Sequence, residues 1–320
     1  MDNFVLILQK TLIYAIPLLI VALGGCFAER SGIINLALEG EMIFGALVGA
    51  FFVYIWQKNG TFAEHQQLMF VLALLISGIA GAVFSLLLSF ASVKLKADQT
   101  IVGTSLNMLA PALVITLCTF FVEQEKLVMN PMPNYVITNP DLNPFLQIFF
   151  HRAYLSTFIC IGIFIVFSLW LYKSKIGTHM RACGEHPQAA DSVGINVYRM
   201  RYLGTTISGL LAGIGGYAYI AASAAGTAES GVAGMGFLAL AIMIFGNWNP
   251  IGIALGALLF GFLKCIGPLS SQISFFSSLG LPTYFYNMIP YVIVIVVLII
   301  TRKKSGCPKA EGIPYDKSTR

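Results

Sequence analysis

Charge is nearly absent from long tracts of this chain, and that absence constrains the fold more than any motif does. Blocks 4–25, 33–56, 68–92, 101–122, 154–172, 203–222 and 284–300 are apolar almost throughout. Each reaches or approaches the roughly 20 residues that a helix needs to cross a bilayer core about 30 Å thick. Two shorter blocks, 237–246 and 251–266, flank the turn "GNWNP" and read either as complete spans or as a re-entrant pair. Only 10% of the residues are charged, against about 25% in a soluble domain. Hydrocarbon offers backbone N–H and C=O groups no partner, so a spanning segment satisfies them as a helix or within a closed barrel. These blocks are too long and too evenly apolar for barrel strands. The expected fold is all-α, a polytopic integral membrane protein of about 7–9 transmembrane helices that include broken or re-entrant segments.

The net charge of +5 is no nucleic-acid signature, because its placement follows the membrane. Lys173, Lys175, Arg181, Arg199 and Arg201 lie in one loop, Lys94 and Lys96 in another, and Arg302, Lys303 and Lys304 after the last block. The positive-inside rule puts all three on the cytoplasmic side. Loop 123–152 carries Glu123, Glu125 and Asp141 against Lys126 and Arg152, and is expected outside. Threading the spans through these constraints puts the N-terminus outside and the C-terminus inside, although Lys10 pulls against the first assignment. The six cysteines are isolated and read as small buried hydrophobes. There is no phosphate-binding P-loop, HExxH or GxSxG. "GMGFLA" at 234–239 leads into membrane instead of a strand-and-helix nucleotide fold. The four histidines lie in or beside loops. No catalytic constellation, metal set or cofactor site emerges.

Polar residues inside a span are costly and by default mark a path or relay. The run "RSGIINLALEGEMIFGA", 30–46, places Asn35 and Glu39 four residues apart, on one face of an expected helix, with Glu41 pointing to the other side. Gly32 and Gly40 weaken or bend that helix, and Arg30 becomes a candidate partner for Glu39 if the chain turns at Gly32. The bland alternative is a short cytoplasmic turn with Glu29 and Arg30 solvated. A faint repeat links "ERSGIINLALEGEMIFGA" from Glu29 to "ESGVAGMGFLALAIMIFGN" from Glu229. Internal repeats are common in transporters. Ser77/Gly81, Gly209/Gly213 and Gly252/Gly256 are small-xxx-small pairs that allow close helix approach. Pro111, Pro250 and Pro290 are expected to kink helices. In loop 174–201, "HPQAADSVGI" reads as a short helix with Pro187 in its first turn and Gly194 as its stop, a shape suited to docking a cytoplasmic partner.

Taken in order, "ERSGIINLALEGEMIFGA", "ADQTIVGTSLNMLA", "RACGEHPQAADSVGINV", "SGLLAGIGGYAYI" and "GMGFLALAIMIFGNWNPIGIALGALLFG" resemble the permease subunits of bacterial ABC importers. Within that family the chain is similar to nucleoside-type permeases that work with basic-membrane-protein lipoproteins, relatives of the ribose-type and branched-chain amino-acid permeases. The resemblance implies a permease domain over 1–301, with a cytoplasmic coupling loop 174–201 and an external loop 123–152, and a cytoplasmic tail 302–320. It implies a bacterial cell-membrane location, a second permease subunit (homologous or identical), a cytoplasmic ATP-binding subunit and an external substrate-binding lipoprotein. The external loop, with Pro131, Pro133, Pro140 and Pro144, would face that lipoprotein. No nucleic acid and no cofactor are implied, only membrane lipid around the chain.

The family's coupling motif E-A-A-x3-G is matched in spacing by Gln188, Ala189, Ala190 and Gly194, with glutamine replacing the glutamate. Arg181, Gly184, Glu185 and Asp191 complete the implied ATPase-coupling set. Asn35, Glu39, Asn107, Phe237 and Trp248 are implied in the translocation path or its polar core. The implied role is ATP-driven import of a small polar solute, with nucleosides first and a sugar or a branched-chain amino acid as alternatives. An ATP-independent secondary transporter is the rival class. It would need coupling carboxylates deep in several helices, and outside 35–41 the blocks carry almost none. A membrane enzyme would need the catalytic set that is missing.

Overall fold

The computed structural model describes residues 2–60, 65–129, 154–273, 278–301 and 306–317. The described chain is carried by α1 (Asp2–Arg30), α2 (Leu38–Asn59), α3 (Gln66–Ser89, continued by a π-helical turn, Phe90–Lys94), α4 (Gln99–Val122), α5 (Leu155–Lys173), α6 (Lys175–Glu185), α7 (Pro187–Ser192), α8 (Val197–Ala222), α9 (Met235–Phe245), α10 (Pro250–Leu269) and α11 (Thr283–Thr301). Seven of these, α1 to α5, α8 and α10, are long and apolar enough to cross a membrane. Block 251–266 is therefore a complete span. Block 237–246 becomes the 11-residue α9, which rises about 16 Å and reaches only halfway through a bilayer core. Block 284–300 forms α11.

Local chemistry sets several helix starts. Asp98 accepts hydrogen bonds from the Thr100 and Ile101 amides at the head of α4, and Asn196 accepts from Arg199 at the head of α8. Asn249 caps α10, where Pro250 occupies the first turn. Pro250 thus starts a helix instead of kinking one, while Pro111 and Pro290 lie inside theirs.

The core is α8 packed against α1, α2 and α3. Lipid supplies no hydrophobic drive between helices, so close backbone contact and shared hydrogen bonds hold them. The small-residue pairs provide both. The Ser77 hydroxyl donates to the Gly45 carbonyl (2.6 Å) on α2 and the Gly213 carbonyl (3.0 Å) on α8. Gly81 lies so close to α8 that an added Cβ would sit 2.9 Å from Gly213 Cα. Ser77/Gly81 and Gly209/Gly213 are thus two halves of one crossing. Gly252 packs on the Gly246 backbone and Gly256 on Ile242.

One end of the bundle gathers the basic loops. Segment 306–317 lies across it as a strap. The Gly306 amide donates to Asn247 (2.5 Å), and Arg201 donates to the Ile313 carbonyl (2.9 Å). The Ala310 amide donates to the Gly184 carbonyl (2.9 Å), which joins the strap directly to the last turn of α6. Asp316 pairs with Lys96, Lys317 lies 3.7 Å from Asp191, and Tyr315 is buried beside Cys183, Ala190 and Val197. Burial raises the Glu311 carboxyl above its ordinary range, and burial next to Glu311 pushes the Cys307 thiol up to about 12. At the opposite end β1 (Leu127–Val128) pairs antiparallel with β2 (Thr227–Ala228). Residues 130–152 of the expected external loop, with its four prolines, fall outside the described residues.

Candidate functional site

Between α1 and α2 the chain leaves helical geometry over 31–37, with Gly32 at φ +94°. Backbone groups in a membrane need partners, and here side chains supply them, from α4 and from within the break itself. The Ile34 amide donates to Gln99 Oε1 (2.7 Å), and the Ala37 amide to Asn35 Oδ1 (3.0 Å). Asn107, on α4, donates to the Leu36 carbonyl (2.6 Å) and accepts from the Gly40 amide (2.7 Å). One amide side chain thus ties the end of the break to the first turn of α2.

A second break precedes α9, where Ala233 and Gly234 take φ +53° and +70°. The two breaks meet. Glu39, in the first turn of α2, accepts from the Gly234 amide (3.0 Å) and the Gly236 amide (2.6 Å). A Cβ on Gly236 would lie 2.5 Å from Glu39 Cα, so only glycine fits this approach. From the meeting point α2 runs toward the β1–β2 end and α9 toward Trp248 at the strap end. Each helix N-terminus carries roughly half a positive charge. The Glu39 carboxyl group lies where both can act on it. The faint repeat is therefore real in three dimensions: each copy is a break followed by a helix.

Asn35 is fully buried. Its amide nitrogen donates to both Glu41 oxygens (3.1 and 3.0 Å) and to the Ser208 hydroxyl (2.8 Å) on α8. This corrects two expectations. Asn35 and Glu39 do not share a helix face, because α2 begins only at Leu38 and Asn35 turns toward Glu41. Arg30 does not pair with Glu39. It lies at the strap end, 3.7 Å from Glu185, and donates to the Trp248 carbonyl. The intervening residues of the break separate Arg30 from Glu39. Glu29 is buried, not solvated, and accepts from Trp248 Nε1 (2.5 Å).

Trp248 therefore sits at the strap end, in a turn where Asn247 and Trp248 have φ +53° and +54°. Phe237 stands in the first turn of α9 and is half exposed. Spacing alone did not reveal Gln99, Ser208 or Lys264. Lys264 donates to the Ala233 carbonyl (3.0 Å) and to Tyr291 OH (3.0 Å) at the second break. A lone lysine in the block "GALLFGFLKCIG" was its only signal.

The expected short helix, with Pro187 in its first turn, is α7, and it follows α6 directly at His186. Gly194, at φ +87°, closes α7: its amide donates to the Asp191 carbonyl (3.0 Å), and the Ile195 amide to the Ala190 carbonyl (3.0 Å). That pair of bonds is a Schellman stop. The coupling set divides by face. Gln188, Ala189 and Gly194 are exposed, together with Ser192 and Val193. Ala190 and Gly184 are buried, Glu185 reaches Arg30, Asp191 reaches Lys317, and Arg181 lies over the Tyr172 ring at 5.1 Å.

The pattern of the family described as "Branched-chain amino acid transport system / permease component" matches residues 7–298. The chain is 38% identical over 319 residues to the guanosine ABC transporter permease protein NupQ of Bacillus subtilis, covering 98% of each. It is 39% identical over 315 residues to the nucleoside ABC transporter permease protein NupC of Lactococcus lactis, covering 98% of this chain and 97% of the relative. A putative glucose ABC transporter permease protein, TsgC13 of Haloferax volcanii, is 30% identical over 84% of this chain and 78% of its own. No solved structure matches. With seven membrane-length helices among the described residues, the chain belongs to this family of multi-pass ABC-transporter permease components.

Proposed function

We propose that this permease forms half of the translocation path of a nucleoside importer, paired with a second permease of the same fold, two ATP-binding subunits and an external substrate-binding protein. The observation that carries the reading is the end-to-end similarity to guanosine and nucleoside permease proteins. The geometry supports it. Two half-membrane breaks meet at Glu39, as expected where a solute is held between rearrangements. In a strain lacking this chain, uptake of labelled guanosine is expected to fall at least about tenfold and to return with the intact gene, while ribose and leucine uptake stay unchanged. Unchanged guanosine uptake with lost ribose or leucine uptake would move the assignment to those solutes.

The strap end is read as cytoplasmic, on the positive-inside rule, and the exposed face of α7 as the ATPase contact. Ser192 is exposed there. In a Cys307→Ser background, Ser192→Cys is expected to react with a membrane-impermeant maleimide only from the cytoplasm, and to be shielded when the ATPase is bound. Labelling from outside intact cells would reverse the orientation. Equal labelling with and without ATPase would remove α7 from the interface.

A further inference from the structure

Lys264 lies 14 positions after Pro250, the first residue of α10. That is about 21 Å along the helix, about two thirds of the way across a hydrocarbon core of about 30 Å. Its ammonium donates to the Ala233 carbonyl and to Tyr291 OH, and Tyr291 OH in turn donates to Ala233 (2.8 Å). Lysine carries three N–H donors. The third has no acceptor among the described residues. The surrounding surface is not covered by the described chain: Tyr291 is 39% exposed, Met288 56% and Phe237 50%.

A charged group with an unspent donor is strongly disfavoured against lipid. The groove around Lys264, between α9, α10 and α11, is therefore read as bordering the aqueous path, while the outer surfaces of α10 and α11 expose apolar residues such as Leu255, Leu258 and Ile295. Lys264 reaches the second break at Ala233, and Phe237 stands one turn along α9 from Gly234, which lies against the Tyr291 hydroxyl. The Phe237 ring can take the flat face of a base. The ammonium can take acceptors only. A 6-oxopurine presents adjacent O6 and N7 acceptors, the fork that lysine reads in guanine. A 6-aminopurine presents an N6–H₂ donor at the same place, which the ammonium repels.

We infer that Lys264, with Phe237, is a base-discriminating subsite of the path that favours nucleosides carrying an oxo group over those carrying an amino group at the equivalent ring position. The inference rests on the nucleoside reading above. It goes beyond that reading by assigning selectivity to the permease itself, in addition to any external receptor.

The test measures maximal uptake rates through the complete importer in cells, with the nucleosides saturating so that receptor affinity drops out. Guanosine and adenosine are one oxo/amino pair, uridine and cytidine a second. Lys264→Met is expected to lower the oxo/amino rate ratio about fivefold or more in each pair. Tyr291→Phe keeps the ring but frees the ammonium from one of its two anchors, and is expected to shift the ratio at least about twofold. A Lys264→Met importer with an unchanged ratio, whether its rates are intact or uniformly reduced, overturns the inference. If Lys264→Met fails to assemble, an unchanged ratio in Tyr291→Phe does so. Wild-type cells that take up no nucleoside through this chain would refute the nucleoside reading instead, so the two failures are distinct.

Discussion

Glu39→Ala is expected to abolish transport, with a loss of at least about 100-fold in initial uptake rate. The carboxyl group is the acceptor for the Gly234 and Gly236 amides, the first half-buried and the second buried. Leaving a buried donor unsatisfied costs about 1–3 kcal/mol each. The charge also balances two converging helix N-termini, an effect of about 0.3–1 kcal/mol per end or more in a partly buried site. The sum, about 3–8 kcal/mol, shifts the junction between α2 and α9 by a factor of 100 or more. Glu39→Gln keeps one acceptor oxygen but can turn its NH₂ toward the second backbone donor. A loss nearer tenfold is expected. Uptake and the amount of assembled complex would be measured together. A fully active Glu39→Ala importer would show that the two breaks do not depend on this carboxyl group.

Asn35→Ala is expected to reduce assembled complex in the membrane about tenfold or more, with the substrate preference of the remainder unchanged. Asn35 supplies the hydrogen bonds shown for Glu41 and links it to Ser208 on α8. Truncating the amide leaves the buried carboxyl group without these hydrogen bonds, at about 1–3 kcal/mol. Removing both partners is milder, so Asn35→Ala/Glu41→Leu should recover part of the assembly. Normal assembly of Asn35→Ala with an altered nucleoside preference would instead make Asn35 a path-lining residue and end the bracing account.

Both residues stood out in the sequence, but their partners did not. An amide and two carboxylates in an apolar block are visible wherever they occur, because charge in hydrocarbon has no neutral explanation. Their contacts join residues separated by 173 positions, for Asn35 and Ser208, and by 197, for Glu39 and Gly236. Helical spacing reports only neighbours one turn away. It therefore paired Asn35 with Glu39, on the assumption that the helix already included Asn35, whereas it begins at Leu38. Gln99 was hard to read for a related reason. A polar residue in the first turns of a span also fits a cap or a solvated end.

Composition and backbone rules that act within a few residues were enough for the approximate limits of the membrane blocks. They were enough, too, for the basic end, the short helix stopped at Gly194 and the repeated Glu-Ser-Gly motif. Other features came into view only with the packed helices: that α9 is half a span, that both repeats begin with a break, and that the breaks share Glu39. The strap 306–317, bound to α6, α7 and α8, belongs with these. The physical reason is that unpaired backbone groups in a membrane must be satisfied somewhere. When they are satisfied by side chains on other helices, the assignment exists only once those helices are packed together.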